Sequence, residues 1–332
     1  MNLAYRLRMG VVGLGVGLVA AFIGCKKDNC FPDNHVEVTQ ELSHVEVTLR
    51  GVAASANDGA VVVGDAGTIL RRTGAGTWLA QTSGVTVDLF AVASPHPLSS
   101  TMVAVGAGGT ILRSVDDGRT WKPSASGTTA ELYGVWLAED EGLALAVGEQ
   151  VVLRSDNAGF TWSMGQVPKG TGALRGVAGR EGELFAVGDH TQVLRSDDEG
   201  RTWERVAVES AGDLLAVVVD RYDLPVEGDT DPFLVAGQFG VFRLFERFGL
   251  EQIQSVAAPV SGLSADGAWW VDGAGAIYHQ HANGSARLES DEPPAALMAV
   301  DGSREAAIAV GDDGTIVRAE LLELGCVKGF DR

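Results

Sequence analysis

Positive charge is scarce in this sequence: 25 Lys and Arg stand against 44 Asp and Glu in 332 residues, a formal net charge of −19. Such a surface repels phosphate backbones, so nucleic acid is not an expected partner. Cysteine is rarer still, at 3 residues, which excludes a scaffold stapled by many disulfides. Beyond residue 25 no segment carries a helical period, which excludes a bundle or an alternating α/β fold. The one uncharged apolar run, residues 9–24 (MGVVGLGVGLVAAFIG), is short for a membrane span. The remaining composition, 45% apolar with 44 glycines, is that of a folded chain with a large core rather than a disordered one.

The N-terminal segment reads separately. Arg6 and Arg8 precede the apolar run, and Cys25 follows it directly, ahead of Lys26-Lys27. This is the layout of an export signal. Its end, Phe22-Ile23-Gly24-Cys25, resembles the bacterial lipobox, with Phe where Leu is usual. The resemblance implies that residues 1–24 are removed and that Cys25 is acylated. The expected localisation is therefore the cell-envelope membrane, on the periplasmic side or the cell surface. The lipid would be the only contact with the membrane, through a tether of residues 25–34.

The rest of the chain repeats one unit seven times. Aligned on the residue that closes an "AVG"-like run, the copies fall at Gly64, Gly106, Gly148, Gly188, Gly237, Asp272 and Gly311, spaced 42, 42, 40, 49, 35 and 39 residues apart. Each unit reads as strand, turn, strand, turn. The first run is like "LYGVWL" (132–137), the second like "LALAVG" (143–148), the third like "GTILRS" (109–114), and the fourth starts at the Trp, as in "TWKPSAS" (120–126), with Gly and Asp clusters marking the turns. The first two runs of a unit are apolar on both faces, so both faces should be covered. Short antiparallel strands at a period near forty predict an all-β fold, a seven-bladed β-propeller of four-stranded blades. Small residues on the inner strands suit the crowding near its axis.

The last unit lacks a fourth strand, and "HVEVTQEL" (35–42) stands where that strand is missing. Pairing Val36–Leu42 with Thr315–Leu321 would close the ring. The propeller is thus expected over residues 35–325, with a tail at 326–332. Closure would also bring Cys30 beside Cys326. An exported chain with two remaining cysteines is expected to join them, and free thiols near the two ends are the other reading.

Two units carry the complete S-x-D-x-G-x-T-W after the third strand, with Ser114, Asp116, Gly118 and Trp121 in one and Ser196, Asp198, Gly200 and Trp203 in the other, and a third has Asn157 at the Asp position with Ser155, Gly159 and Trp162. This resembles the Asp-box, or BNR repeat. Short acceptor side chains that bind the turn's own N–H groups give these residues a structural role rather than a catalytic one. An arginine precedes most boxes or their remnants: Arg71, Arg113, Arg154, Arg195, Arg243 and Arg318, with His279 in the sixth unit. They are candidates for docking an acidic partner peptide or a glycan. The other reading is that they pair with carboxylates or rings of adjacent blades. The complete pattern resembles the photosystem II stability/assembly factor family. That resemblance implies a seven-bladed propeller that binds protein and assists assembly of a membrane complex.

Chemistry of its own is not expected. A sialidase-like reading would need an Arg-Ile-Pro segment, which is absent, and a tyrosine nucleophile chosen from Tyr133, Tyr222 and Tyr278. No carboxylate pair stands out, although a polysaccharide-binding or glycoside-hydrolysing Asp-box propeller is the alternative. No cofactor or metal is expected. His279 and His281 share a strand face without a third ligand, and the acidic stretch 223–232 reads as a solvated insertion or a Ca²⁺ loop. Trp269 and Trp270 adjoin, one expected in the core and the other left open as a sugar platform. Replacing Cys25 by Ser should move the exported protein from the membrane to the soluble fraction, and non-reducing peptide mapping should recover Cys30 linked to Cys326.

Overall fold

The computed structural model describes residues 34–323, apart from 57, 141, 181, 210, 221–232, 246–248, 282–283 and 289–294. It is a seven-bladed β-propeller of four-stranded antiparallel sheets. The first strands of blades 1 to 7 are Leu49–Ser55, Leu89–Ala93, Leu132–Leu137, Leu174–Arg180, Leu214–Val219, Val260–Leu263 and Leu297–Gly302. Each neighbours the first strands on both sides, and that of blade 7 neighbours that of blade 1. Together they wall a central channel of about 1370 Å³.

Six of these strands share the pattern Leu-x-Gly/Ala-Val, blade 6 reading Val-Ser-Gly-Leu in its place, and the third letter is where neighbouring backbones meet. A Cβ on Gly51 would sit 3.0 Å from the Cα of Ala91, on Gly176 3.0 Å from that of Ala216, and on Gly262 2.9 Å from that of Ala299. A larger side chain would push the strands apart and open the ring. The second strands are buried along their whole length, as in Gly59–Gly64, Met102–Gly106 and Ala144–Gly148. Both faces are covered because a blade lies against each. Trp121 packs with Val61, Val63 and Met102 between blades 1 and 2, and Trp203 with Leu145 and Leu194 between blades 3 and 4.

The ring closes as the missing strand requires. Asn34–Glu41 pairs antiparallel with Ile316–Glu323 in a register that sets Val36 opposite Leu321 and Glu41 opposite Ile316. This strand completes blade 7 from the N-terminal end of the chain. Its last residue also crosses to blade 1. Glu41 accepts from Arg72 Nε at 2.9 Å and from the Trp78 indole N–H at 2.7 Å. Arg72 is 7% exposed and Glu41 13%. Cys25, Cys30, Cys326 and the 223–232 stretch lie outside the described residues.

A buried arginine left without its carboxylate is costly. Glu41→Ala should lower stability by about 3 kcal/mol, read by chemical denaturation, whereas Glu37→Ala on the same strand should change it little.

Candidate functional site

Blades 2 to 4 each end the third strand in the same side-chain lattice. In blade 2 the Ser114 hydroxyl donates to Asp116 Oδ1 at 2.8 Å and accepts from the Gly118 N–H at 3.0 Å. Asp116 then accepts from the Thr120 N–H at 2.9 Å and the Thr120 hydroxyl at 2.7 Å. The Trp121 indole donates to the Gly118 carbonyl at 3.1 Å. Ser196, Asp198, Gly200, Thr202 and Trp203 repeat this in blade 4. In blade 3 Asn157 takes the aspartate's place. Its Oδ1 accepts from Ser155 at 2.9 Å and from the Thr161 N–H at 2.9 Å, while its amide donates to Thr161 Oγ1 at 2.8 Å. Gly159 and Trp162 keep their parts. Every acceptor of the lattice is used within its own turn.

The repeated arginines reach into the next blade. Arg71 Nε donates to the carbonyl of Asp117 at 2.7 Å, Arg113 Nε to that of Ala158 at 2.7 Å, and Arg154 Nε to that of Glu199 at 2.6 Å. All three acceptors occupy the same place in the following Asp-box loop, where φ is positive (60°, 51° and 61°). Arg71 also pairs with Asp117, and Arg154 with Asp156 and with Glu199. Arg318 of blade 7 lies 3.6 Å from Asp58 of blade 1. Arg195 lies 3.3 Å from Glu183 and Arg243 3.6 Å from the fully buried Asp220, each partner in the arginine's own blade. In blade 6, His279 takes the arginine's place and its Nε2 lies 3.2 Å from the carbonyl of Arg304 in blade 7. The structure thus sets these side chains between or within blades.

Both tryptophans at 269–270 are fully buried. Trp269 packs between blades 6 and 7 and donates to the Ser303 carbonyl at 2.9 Å, and Trp270 faces blade 5. Neither is available as a sugar platform. His279 is buried as well, its ring 4.3 Å from that of Trp269. Among the described residues no group of three or more His, Cys, Asp or Glu is placed to hold a metal.

The exposed chemistry gathers at the channel instead. The second letter of each Leu-x-Gly/Ala-Val repeat rings the mouth on the face where the first strands begin: Arg50, Phe90, Tyr133, Arg175, Leu215, Ser261 and Met298. Blades 1 to 4 supply a continuous arc. The Arg50 guanidinium lies 5.8 Å from the Phe90 ring centre, the Phe90 and Tyr133 rings are 5.5 Å apart, and the Arg175 guanidinium lies 4.3 Å over Tyr133. Asp65 and Asp189 steer the two arginines, Arg175 Nε donating to Asp189 Oδ1 at 2.8 Å. That bond holds the Asp189 carboxyl below the usual range, against its partial burial. Arg50 and Arg175 keep about a third of their side chains exposed, at 34% and 33%. Sequence reading passed over this arc, because it singled out residues that recur rather than the one letter that varies.

No family model matches the sequence. One curated relative, vacuolar protein sorting/targeting protein 10 of Sordaria macrospora, is 27% identical over 168 residues, 48% of this chain. The chain spans about a tenth of that protein's length. Solved structures match over most of the chain. YCF48 from Cyanidioschyzon merolae, a photosystem II assembly factor, has a TM-score of 0.65 at 16% identity, covering 85% of this chain and 98% of its own. YCF48 bound to D1 peptide gives 0.64 at 16%, covering 85% and 96%. Virginiamycin B lyase from Staphylococcus aureus gives 0.70 at 12%, covering 87% and 100%. What is shared is the propeller. At these identities the likeness carries the fold, and it extends to a protein binder and to an enzyme alike.

The Asp-box lattice has a pH signature. Burial opposes ionisation of Asp198, but hydrogen bonds from Thr202, Ser196 and the Arg201 N–H outweigh it and hold the carboxyl at about 2, below its ordinary 3.8. Asp116 is lowered for the same reasons. Because the folded value is depressed, the stabilisation is complete above about pH 4 and is lost as pH falls towards 2. Asn157 already fills this place in blade 3, so Asp116→Asn with Asp198→Asn should leave neutral stability almost unchanged. The double variant should also flatten the fall in melting temperature across that window. An equal fall in it would count against the lattice as its source.

Proposed function

We propose that this chain is a membrane-anchored, extracytoplasmic β-propeller lipoprotein that binds a protein partner and carries out no chemistry of its own. The observation that carries this reading is the arc Arg50–Phe90–Tyr133–Arg175 at the channel mouth. Arginine and aromatic residues are enriched where protein interfaces concentrate their binding energy. Here they adjoin, half-buried, on rigid strands rather than loops, and carboxylates and neighbouring rings hold their orientation in advance. Little side-chain entropy is then lost on docking. Two guanidinium groups on an otherwise acidic protein favour an acidic or carboxylate-ended segment.

Other features agree with a binder. The Asp-box carboxylates are consumed by their own turns, which leaves them unsuited to general acid–base work. The lipobox-like Cys25 supplies the anchor and sets the exported location. YCF48, which shares the fold, has been solved with a bound peptide.

The test is capture of envelope proteins by the full-length lipidated chain, with quantified cross-linking. Arg50→Ala with Arg175→Ala should reduce capture of a specific partner at least about tenfold while moving the melting temperature little, since both side chains sit on the rim. Undiminished capture by that double variant would refute docking at the mouth. Turnover of a glycan or lactone substrate by the wild-type chain would refute the non-catalytic reading.

A further inference from the structure

The arginines that precede the Asp-boxes are not equally provided for. At the junction of blades 1 and 2, Arg71 donates to the Asp117 carbonyl and pairs with the Asp117 carboxylate, which also lies 3.7 Å from Arg119. At the junction of blades 3 and 4, Arg154 donates to the Glu199 carbonyl and, at 3.0 Å, to the Glu199 carboxylate, which lies 2.9 Å from Arg201. Each of these junctions holds a carboxylate between two guanidinium groups. Arg154 has a second carboxylate two residues along its own chain, donating to Asp156 at 2.6 Å.

The junction of blades 2 and 3 keeps the arginine and loses the charges around it. Arg113 Nε donates to the Ala158 carbonyl at 2.7 Å, as its equivalents do to theirs. Yet Ala158 stands where Asp117 and Glu199 stand, Phe160 where Arg119 and Arg201 stand, and Val115 where Asp156 and Asp197 stand. Among the described residues no carboxylate pairs with Arg113, and the Ala158 carbonyl is its one hydrogen-bond partner. Its stem passes the glycine of the next box, since a Cβ on Gly159 would come 3.9 Å from Arg113 Cδ. The half-buried guanidinium is therefore held against the loop of blade 3. Ala158 has φ of 51°, close to the 60° and 61° of Asp117 and Glu199, so the backbone that presents a carboxylate is kept and only the carboxylate is missing. A second, independent feature marks the same place. Phe160 is 69% exposed and Val115 55%, two large apolar side chains on the surface where the other boxes carry charge. In the other two junctions the side chain at Phe160's place borders the slot, for there Arg119 and Arg201 reach the carboxylate.

We propose that this junction binds an acidic side chain of another polypeptide, a glutamate or aspartate flanked by apolar residues. Its carboxylate takes the place of Asp117 and Glu199 beside Arg113, and the flanking residues cover Phe160 and Val115. The terminal N–H groups of one guanidinium match one carboxylate, and filling the slot reproduces the bonding that this protein uses at the junction on either side. A phosphate fits less well, since it brings a second negative charge to a single arginine on a chain of net charge −19. Covering Phe160 and Val115 removes apolar area from water. The inference rests on the reading of the chain as a protein binder, but it names a different surface. Arg113, Val115, Ala158 and Phe160 are not among the residues that line the channel.

The probe is the peptide acetyl-Leu-Glu-Leu-amide, titrated into the full chain beside acetyl-Leu-Gln-Leu-amide and butyrate. The reporter is the NMR signal of the Arg113 Nε–H, identified by its loss in Arg113→Gln. The Glu peptide should shift that signal and bind about tenfold more tightly than the Gln peptide, the difference expected for one charge-assisted hydrogen bond. It should also bind more tightly than butyrate, which brings the carboxylate without the apolar flanks. Ala158→Glu fills the slot from within, at a backbone conformation that Glu199 already adopts in blade 4. It should keep the melting temperature and weaken peptide binding at least about tenfold. Phe160→Ser breaks no bond of the Asp-box lattice, so it decides the matter if Ala158→Glu does not fold. It should bring the affinity of the peptide down towards that of butyrate. Arg50→Ala with Arg175→Ala should leave the peptide bound, so failure at the mouth and failure here are read separately. Equal affinity for the Glu and Gln peptides, or for butyrate, would overturn the proposal. So would undiminished binding in folded Ala158→Glu or in Phe160→Ser, or loss of binding in the mouth variant.

Discussion

Seven sheets can share one axis only if their innermost backbones come almost into contact. That approach governs the rest. At Gly51, Gly176 and Gly262 there is no room for a Cβ beside the next strand, and Ala91, Ala216 and Ala299 are the small partners that receive it. Once the third letter of the repeat is confined to Gly or Ala, the following Val faces one neighbouring blade and the letter after it faces the other or the channel. The second strand is then sealed on both sides, which is why it reads as an unbroken apolar run. A flat sheet with one wet face would instead alternate.

Closure of the ring leaves a second problem, since blades in contact through apolar faces could slide. The repeated arginines oppose this. Arg71, Arg113 and Arg154 each donate to a main-chain carbonyl one blade ahead, and that carbonyl is presented because the Asp-box loop turns through positive φ there. The box and the arginine thus form one device: the Asp or Asn lattice fixes the loop, and the loop offers the acceptor. Blade 1 has lost its box, and it borrows Glu41 from the closing strand to satisfy Trp78 and Arg72. The seam is therefore fastened by side chains at the one place where the chain itself is discontinuous.

This division explains what could be read from the sequence. The fold was legible because seven backbones under one constraint must spell the same letters. The blade count, the Asp-box turns and even the closing register of Val36 against Leu321 followed from recurrence. Trp269 and Trp270 were half legible, since alternation placed one ring inside, and blade 5 covering the second face was not visible in a local pattern. The mouth was illegible for the opposite reason. Arg50, Phe90, Tyr133 and Arg175 have no common chemistry, so alignment on shared letters discards them. Their relation appears only when a circle sets residues forty positions apart side by side.

That circle also separates what must be kept from what is free to change. Leu, Gly or Ala, and Val in the inner repeat are held by packing against two neighbours at once. The letter between Leu and Gly or Ala meets the channel and carries no such load. The letter after Val is less free, since Ala53 and Ala178 pack in clusters between blades and Asp301 binds N–H groups of both neighbouring blades. Copies of the freer letter make a ring at the mouth, and over blades 1 to 4 that ring became aromatic and cationic. A change there alters what the channel presents without loosening the wall that holds it open, because the side chains that grip adjacent blades lie at other letters.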